Sequence, residues 1–327
     1  MSANLPPALR AALERLAGRF SGRDLAAASH RLTADYRAGR GSRLPAPVDL
    51  AAYAIARMPA TYAACAAALT EAAARVFLAP RTLLDVGCGP GTASWAAAEI
   101  FQDLVRATLV DAHAGMTALG RDLAAEGPAL LAEADWQAGR LEGVAPATAD
   151  LVVASYTLNE LKPAAVADAA CGLYAATRGV LVLIEPGTPA GFAVIAAART
   201  ALMTGGARIA APCPGEGACP IVAPDWCHFS ARLPRLRAHK AAKSADAPFE
   251  DERYAYLVAA RPHLRIVAAP ARILRPPHAD KAATTFTLCT GAGLTQHVVA
   301  SRDRDAHRLT RRLGWGDAFP SEQPEPP

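Results

Sequence analysis

The sequence predicts an α/β protein: a Rossmann-like parallel sheet behind an α-helical N-terminal region, with a Cys-rich insertion late in the chain. Three observations carry this. Short apolar runs at 82–86, 107–110, 150–155 and 179–184 alternate with helical stretches, spaced about 25–40 residues apart as in strand–helix–strand units. The first run opens into a glycine-rich loop, Gly87-Cys88-Gly89-Pro90-Gly91. Residues 205–250 then break the rhythm: they are rich in Gly and Pro, then in Arg and Lys, and no strand is evident.

Composition bounds the class. Of 327 residues, 52% are hydrophobic and 20% charged, which excludes global disorder. No apolar run reaches the ~18–20 residues of a membrane span, so no membrane partner is expected. A formal net charge of +4 does not by itself indicate a nucleic-acid partner; the placement of charge has to. Residues 1–20 are Arg-bearing and amphipathic, without an apolar signal core. Glu14 departs from an organellar presequence, so the segment is read as part of the fold and the chain as cytoplasmic.

Leu9, Leu13, Leu16 and Phe20 fall at helical spacing and Ser21-Gly22 ends the run, so residues 5–40 read as two helices. Pro45-Ala46-Pro47 is a linker. Asp49 caps a further helix that Pro59 interrupts or restarts, and an Ala-rich helix continues to about Val76. A helix over 92–101 follows the glycine loop. Strand-like texture returns at 254–260, 264–274, 283–289 and 297–300. The expected domains are a helical region over 1–80, a methyl-transfer-type α/β domain over 81–204 and 251–317, the insertion over 205–250, and a disordered tail over 318–327.

Gly87, Gly89 and Gly91 would let the loop turn sharply and bring backbone close to a ligand. Asp85 stands before them, where a phosphate-cradling loop normally avoids a carboxylate; an acid there suits a cation carrying an α-amino group and a sulfonium. Asp111 ends the next run, 20 residues after Gly91, where a carboxylate can accept both ribose hydroxyls. Asp135-Trp136 is expected at the following strand end, suited to an adenine amine and ring face. Together these resemble the class I S-adenosylmethionine-dependent methyltransferase fold, with S-adenosyl-L-methionine as cofactor. The alternative is a Rossmann-like sheet with turn glycines and no cofactor. The fourth strand leads into Ser155-Tyr156-Thr157-Leu158-Asn159-Glu160. It shows neither the Asn/Asp-Pro-Pro-aromatic pattern of exocyclic-amine methylation nor a Pro-Cys nucleophile, so no catalytic residue is assigned. Asn159 and Glu160 line a pocket or cap the next helix.

Of seven cysteines, Cys65, Cys88 and Cys171 lie in apolar, Ala-rich surroundings and read as small buried hydrophobes. Cys213, Cys219 and Cys227 cluster, with five and seven residues between them, and Cys289 follows after 61 more. Flanking Pro and Gly free the backbone so that thiolates can converge. Four thiolates suit tetrahedral zinc or an iron–sulfur cluster equally well on chemistry alone, with His228 as a substitute ligand if Cys289 is merely buried.

The cysteine run, Trp226-Cys227-His228-Phe229, Glu185-Pro186-Gly187-Thr188-Pro189-Ala190-Gly191-Phe192 and Arg275-Pro276-Pro277 resemble the methyltransferase-like family associated with the small ribosomal subunit. The likeness runs from about residue 53 to 317. It implies a [4Fe-4S] cluster on Cys213, Cys219, Cys227 and Cys289, which raises iron–sulfur above zinc. It also implies small-subunit assembly and translation as the setting, and a methyltransferase fold whose methylating activity is open. The missing presequence points to a bacterial cytosolic member.

Arg232, Arg235, Arg237, Lys240 and Lys243 follow His228 with no acid between them, a positive arm suited to ribosomal RNA phosphates. Five phosphate contacts would give a log–log salt slope on the order of −3 to −5. Arg272, Arg275 and Lys281 form a second basic patch near Cys289. No aromatic strip supports base readout, so shape and phosphate recognition is expected. Three functions remain: an rRNA-binding assembly protein that uses S-adenosylmethionine for methylation or as a structural ligand; a non-enzymatic assembly factor retaining the fold; and a small-molecule methyltransferase with structural zinc. Oligomeric state is not legible.

Overall fold

The computed structural model describes residues 4–37, 46–139, 148–235 and 247–320. Helices α1 (Pro7–Ala17) and α2 (Gly22–Arg37) precede α3 (Pro47–Arg75). α1 buries Leu9, Ala12, Leu13 and Leu16, the expected apolar stripe. Asp49 accepts from the Ala46 N–H and from Arg31, fixing the start of α3. The expected break at Pro59 does not occur: α3 runs through it for 29 residues. Its buried face is mostly alanine, so it lies against the main sheet, and that packing offsets the one hydrogen bond a proline removes.

The main sheet contains β1 (Thr82–Val86), β2 (Arg106–Asp111), β3 (Asp135–Ala138), β4 (Ala149–Ser155), β5 (Thr177–Pro186), β6 (Arg208–Ala211), β7 (Phe229–Pro234) and β8 (Phe249–Ala260). Helices α4 (Thr92–Ile100), α5 (Ala114–Ala124), α6 (Ala129–Ala132), α7 (Val166–Ala175) and α8 (Pro189–Thr204) connect them. Strand order is β3-β2-β1-β4-β5-β8-β6, with β7 also pairing β8. β1 to β5 are mutually parallel and β8 is antiparallel to both β5 and β6. A Rossmann order with a reversed strand wedged between the last two is the class I methyltransferase topology, as expected from the sequence. Central strands are apolar on both faces: Leu151, Val152, Val153 and Ala154 are all buried.

Two boundaries differ from expectation. Residues 205–250 contain β6 and β7, both short strands zipped onto β8; β7 alternates buried Phe229, Ala231 and Leu233 with outward Ser230 and Arg232. Of residues 251–317, only β8 joins the main sheet. The rest builds a second sheet from β9 (Ala271–Ile273), β10 (His278–Ala279), β11 (Ala283–Thr290), β12 (Gly293–Ala300) and β13 (Ala318–Phe319), with α9 (Arg304–Thr310) beside it. Ile273, Phe286, Leu288, Val299 and Phe319 form its core. Phe319 thus belongs to the fold rather than to a tail; residues 321–327 lie outside the described residues. Among the described residues no helix is long and apolar enough to cross a membrane. Cys65 and Cys88 are buried as expected, whereas Cys171 is exposed on α7.

Candidate cofactor pocket and cysteine-lined cavity

β1 delivers Asp85 to the start of the glycine loop. Gly87, Gly89 and Gly91 all adopt left-handed φ (68°, 53° and 81°). A Cβ on Gly91 would stand 2.6 Å from the Trp136 ring, whereas one on Gly89 would meet nothing within 4 Å. The loop is therefore tight where it meets the core and open at its tip. Asp111, at the end of β2, accepts from the Gly89 N–H (2.8 Å) and the His113 N–H (2.7 Å), which fixes that tip.

Asp85 is fully buried and accepts from Ser94 Oγ at 2.7 Å, while its Oδ1 has no partner among the described residues. Burial raises its carboxyl to about 7, against the Ser94 hydrogen bonds, and Asp111 adds to the rise. Glu160, beyond β4, is raised by burial and again by Asp111. Glu185, at the end of β5, is raised to about 8 by burial; it accepts from the Leu158 N–H at 2.8 Å and holds the turn that carries Asn159. Acids thus face one another across the strand ends with an orphaned carboxylate oxygen among them, a donor set that fits a cationic ligand.

Sequence reasoning reached Asp85, Asp111 and the three glycines, and the structure brings these together. It does not bring Asp135 to them. Asp135 begins β3, in register with Thr108, while Ala138 at the other end pairs with Asp111; ligands sit at the carboxyl ends of parallel strands. Asp135 instead accepts from Gln137 Nε2 at 2.6 Å. Trp136 is 7% exposed and wedged between Gly91 and Gly120, so its ring serves the core and offers no free stacking face. Thr157 and Tyr156 were missed. Thr157 closes over Gly87, and Tyr156 has a φ of 55° and donates its hydroxyl to Glu252 at 2.9 Å. A strained non-glycine residue leaves no sequence signal.

Cys213, Cys219, Cys227 and Cys289 all line one cavity of about 550 Å³ between α8, the loop after β6 and the second sheet. Burial raises the thiols of Cys213 and Cys227, and that of Cys289 to about 11; neighbouring cysteines add to each rise. Among the described residues, no three His, Cys, Asp or Glu side chains stand close enough to hold a single metal ion. Neither zinc nor an iron–sulfur cluster is established by this arrangement. His228 does not line the cavity. It stacks on Trp226 (5.0 Å between centroids) and meets Trp315 edge-on, so its place is in packing.

Three of the four segments that carried the family resemblance join here beside the cysteine run. Trp226 Nε1 donates to the Gly187 carbonyl at 3.0 Å, and Arg275 pairs with Asp225. Arg272 is 1% exposed and paired with Glu71, and Arg275 is paired with Asp225, so these two members of the expected second basic patch cross-link the fold, while Lys281 is exposed. The acid-free reading of the positive arm is also corrected. On β8, Asp251 pairs with Arg232 at 2.7 Å and Glu250 with Arg235 at 3.3 Å. Arg237, Lys240 and Lys243 lie outside the described residues.

Strand order, left-handed glycine loop and acidic strand ends define a methyltransferase-fold protein. The chain belongs to the family described as mitochondrial small ribosomal subunit Rsm22, which matches residues 47–320. It is 29% identical to the human ribosome assembly protein METTL17, mitochondrial, over 82% of this chain and 62% of that protein. It is 31% identical to Rsm22-cox11 tandem protein 2, mitochondrial, of Schizosaccharomyces pombe, over 44% of this chain and 25% of that protein. The chain therefore spans less than two thirds of these relatives. Among solved structures, it is similar to magnesium protoporphyrin IX methyltransferase from Synechocystis with bound S-adenosylmethionine (16% identity, 62% of this chain, 80% of that one, TM-score 0.41). It is also similar to the YcgJ protein of Bacillus subtilis (10% identity, 60% and 97%, TM-score 0.40). The strand order, not these likenesses, defines the fold. The expected bacterial cytoplasmic location is overturned, because the family description and the curated relatives' names are mitochondrial.

Proposed function

We propose that the protein is a small-ribosomal-subunit assembly factor that binds S-adenosylmethionine at the glycine loop and carries a [4Fe-4S] cluster on Cys213, Cys219, Cys227 and Cys289. The observation that carries this reading is the convergence of four cysteines, from two distant stretches of a methyltransferase-fold chain, on one cavity. Thiolates around a single tetrahedral zinc close to about 4 Å of one another, given ~2.3 Å zinc–sulfur bonds. A donor set spread around a cavity suits a polynuclear centre better. Once bound, the cluster supplies a covalent tie between the loop after β6 and the second sheet, and a one-electron couple. Asp111, at the end of β2, would hold a ribose, and the acids Asp85 and Glu160 would balance a cationic amino acid moiety.

Ribosomal RNA is the proposed contact of the segment from Arg232 to Lys243. Arg232 and Arg235 are already partnered, so Arg237, Lys240 and Lys243 carry the larger share of that proposal. Whether a methyl group is transferred separates two readings. The absence of an amine- or C5-methylation signature after β4, together with the Tyr156 hydroxyl tied to Glu252, favours a factor that binds the cofactor without turnover.

Anaerobic purification with iron, sulfide and zinc analysis tests the centre. Iron and sulfide near four per chain are expected, lost in Cys219→Ser; zinc alone rejects the cluster. Co-sedimentation with small subunits tests the setting. Labelled methyl transfer to immature small subunits, abolished by Asp111→Ala, would decide for the enzyme.

A further inference from the structure

Arg199 projects from α8 into the cysteine-lined cavity and is 7% exposed. Its Nη2 donates to the carbonyls of Gly215 (3.2 Å) and Gly217 (2.7 Å), both on the loop between Cys213 and Cys219. Its Nε is buried without a partner among the described residues. The neighbouring guanidiniums differ: Arg272 is paired with Glu71, Arg208 with Glu216 and Arg275 with Asp225. Among the described residues, Arg199 has no carboxylate within ion-pair distance. A guanidinium cannot shed its proton, and a buried charge without a counter-charge is strongly destabilising. The cavity therefore calls for an anion beside Arg199, and the side chains closest to serving are thiols.

We propose that Arg199 is the fixed counter-charge of the cysteine centre, clamping the 213–219 loop through two carbonyls and stabilising the anionic thiolate-bound cluster. The inference rests on the iron–sulfur reading above. Four thiolates outweigh the charge of a cluster core, so the centre is anionic, and it becomes more so on one-electron reduction. A permanent positive charge at the wall favours the reduced form and raises the reduction potential. Arg272 contributes less, because Glu71 offsets it. Arg199 is thus a positioning residue for the centre, outside any reaction at the glycine loop.

The test uses the full chain purified anaerobically. Arg199→Gln and Arg199→Met remove the charge, Met keeping the length of the apolar stem; Arg199→Lys keeps the charge and loses the double clamp. Iron and sulfide are measured first, then the midpoint potential by dithionite titration followed by paramagnetic resonance, then iron release to a chelator. The native chain is expected to hold iron and sulfide. Both charge-less variants are expected to titrate at lower potential and to release iron several-fold faster, while the Lys variant keeps the native midpoint. A folded Gln or Met variant with native midpoint and native release overturns the role of Arg199 and leaves the cluster intact. A native chain without iron and sulfide overturns the cluster reading itself, and this inference with it. Should neither charge-less variant fold, the Lys variant decides: a native midpoint supports the fixed charge, and a lowered one overturns it.

Discussion

Arg272 and Glu71 form an ion pair at 2.7 Å across 201 positions of chain, with the guanidinium 1% exposed. The same guanidinium donates to the Pro212 carbonyl (3.1 Å) and the Gly316 carbonyl (2.8 Å). Arg272 lies directly opposite Cys289 in the β9–β11 ladder. One side chain thus joins the long N-terminal helix, the start of the cysteine loop and the second sheet. The cavity is held in shape by this hub, whatever it binds.

Glu71→Ala leaves Arg272 buried and unpaired, so it should cost about 3–5 kcal/mol, the range for breaking one side of a buried pair. Glu71→Ala with Arg272→Met should recover part of that loss, because the orphaned charge is gone. Chemical denaturation of the two single variants and the double gives the coupling. Simple additivity would show that the pair does not act as a unit.

Stability should fall as pH rises through the neutral range. Asp85 and Glu185 both have folded-state values above their ordinary ones, about 7 and about 8. Their protonated forms are favoured by folding, so their contribution is fully present below about pH 4 and lost as pH rises through 7 and 8. Asp85→Asn and Glu185→Gln keep shape while removing the titration. Each should flatten the melting-temperature profile between pH 5 and 9, on the order of a few kcal/mol at the alkaline end. Profiles parallel to the native one would refute the burial argument.

Much of the pocket was legible because its residues are local in sequence. The run from Asp85 to Gly91 and the acid at Asp111 follow from strand ends and turn chemistry. Asp135 was misplaced by a short slip in where β3 begins, and in a parallel strand that moves a residue to the wrong end of the sheet. The positive arm was misjudged for a different reason. Its acids, Asp251 and Glu250, come from β8 across the ladder, and local charge counting cannot see a cross-strand partner. The convergence of Cys289 with the other three cysteines came from family resemblance; spacing alone could not fix it, because a 61-residue gap sets no geometry.

Gly91→Ala and Gly89→Ala should separate folding from binding. Both carry left-handed φ, for which an L-residue pays roughly 1–2 kcal/mol. Gly91→Ala adds a clash with the buried Trp136 ring and should lower the melting temperature markedly. Gly89→Ala meets only open space, so the fold should pay backbone strain alone while S-adenosylmethionine affinity, read by calorimetry, drops. Equal affinity in Gly89→Ala and the native chain would remove the loop tip from the ligand site.

Asp251→Asn tests the strand edge as an RNA surface with a sign that stability effects cannot mimic. Arg232 and Asp251 are 61% and 47% exposed, so their pair contributes little to folding, about 0–1 kcal/mol. Deleting the acid frees a cation at the start of the basic segment. If that segment meets phosphates, affinity for a small-subunit rRNA fragment should rise, and the log–log salt slope should steepen by about 0.7–0.9, one counterion's worth. Arg232→Ala does the reverse, leaving Asp251 to repel the backbone, and binding should weaken. Filter binding across a salt series reads both. Unchanged affinity in both variants would move the RNA contact off β7 and β8 altogether, since an exposed unit charge at a phosphate interface cannot be silent at low salt.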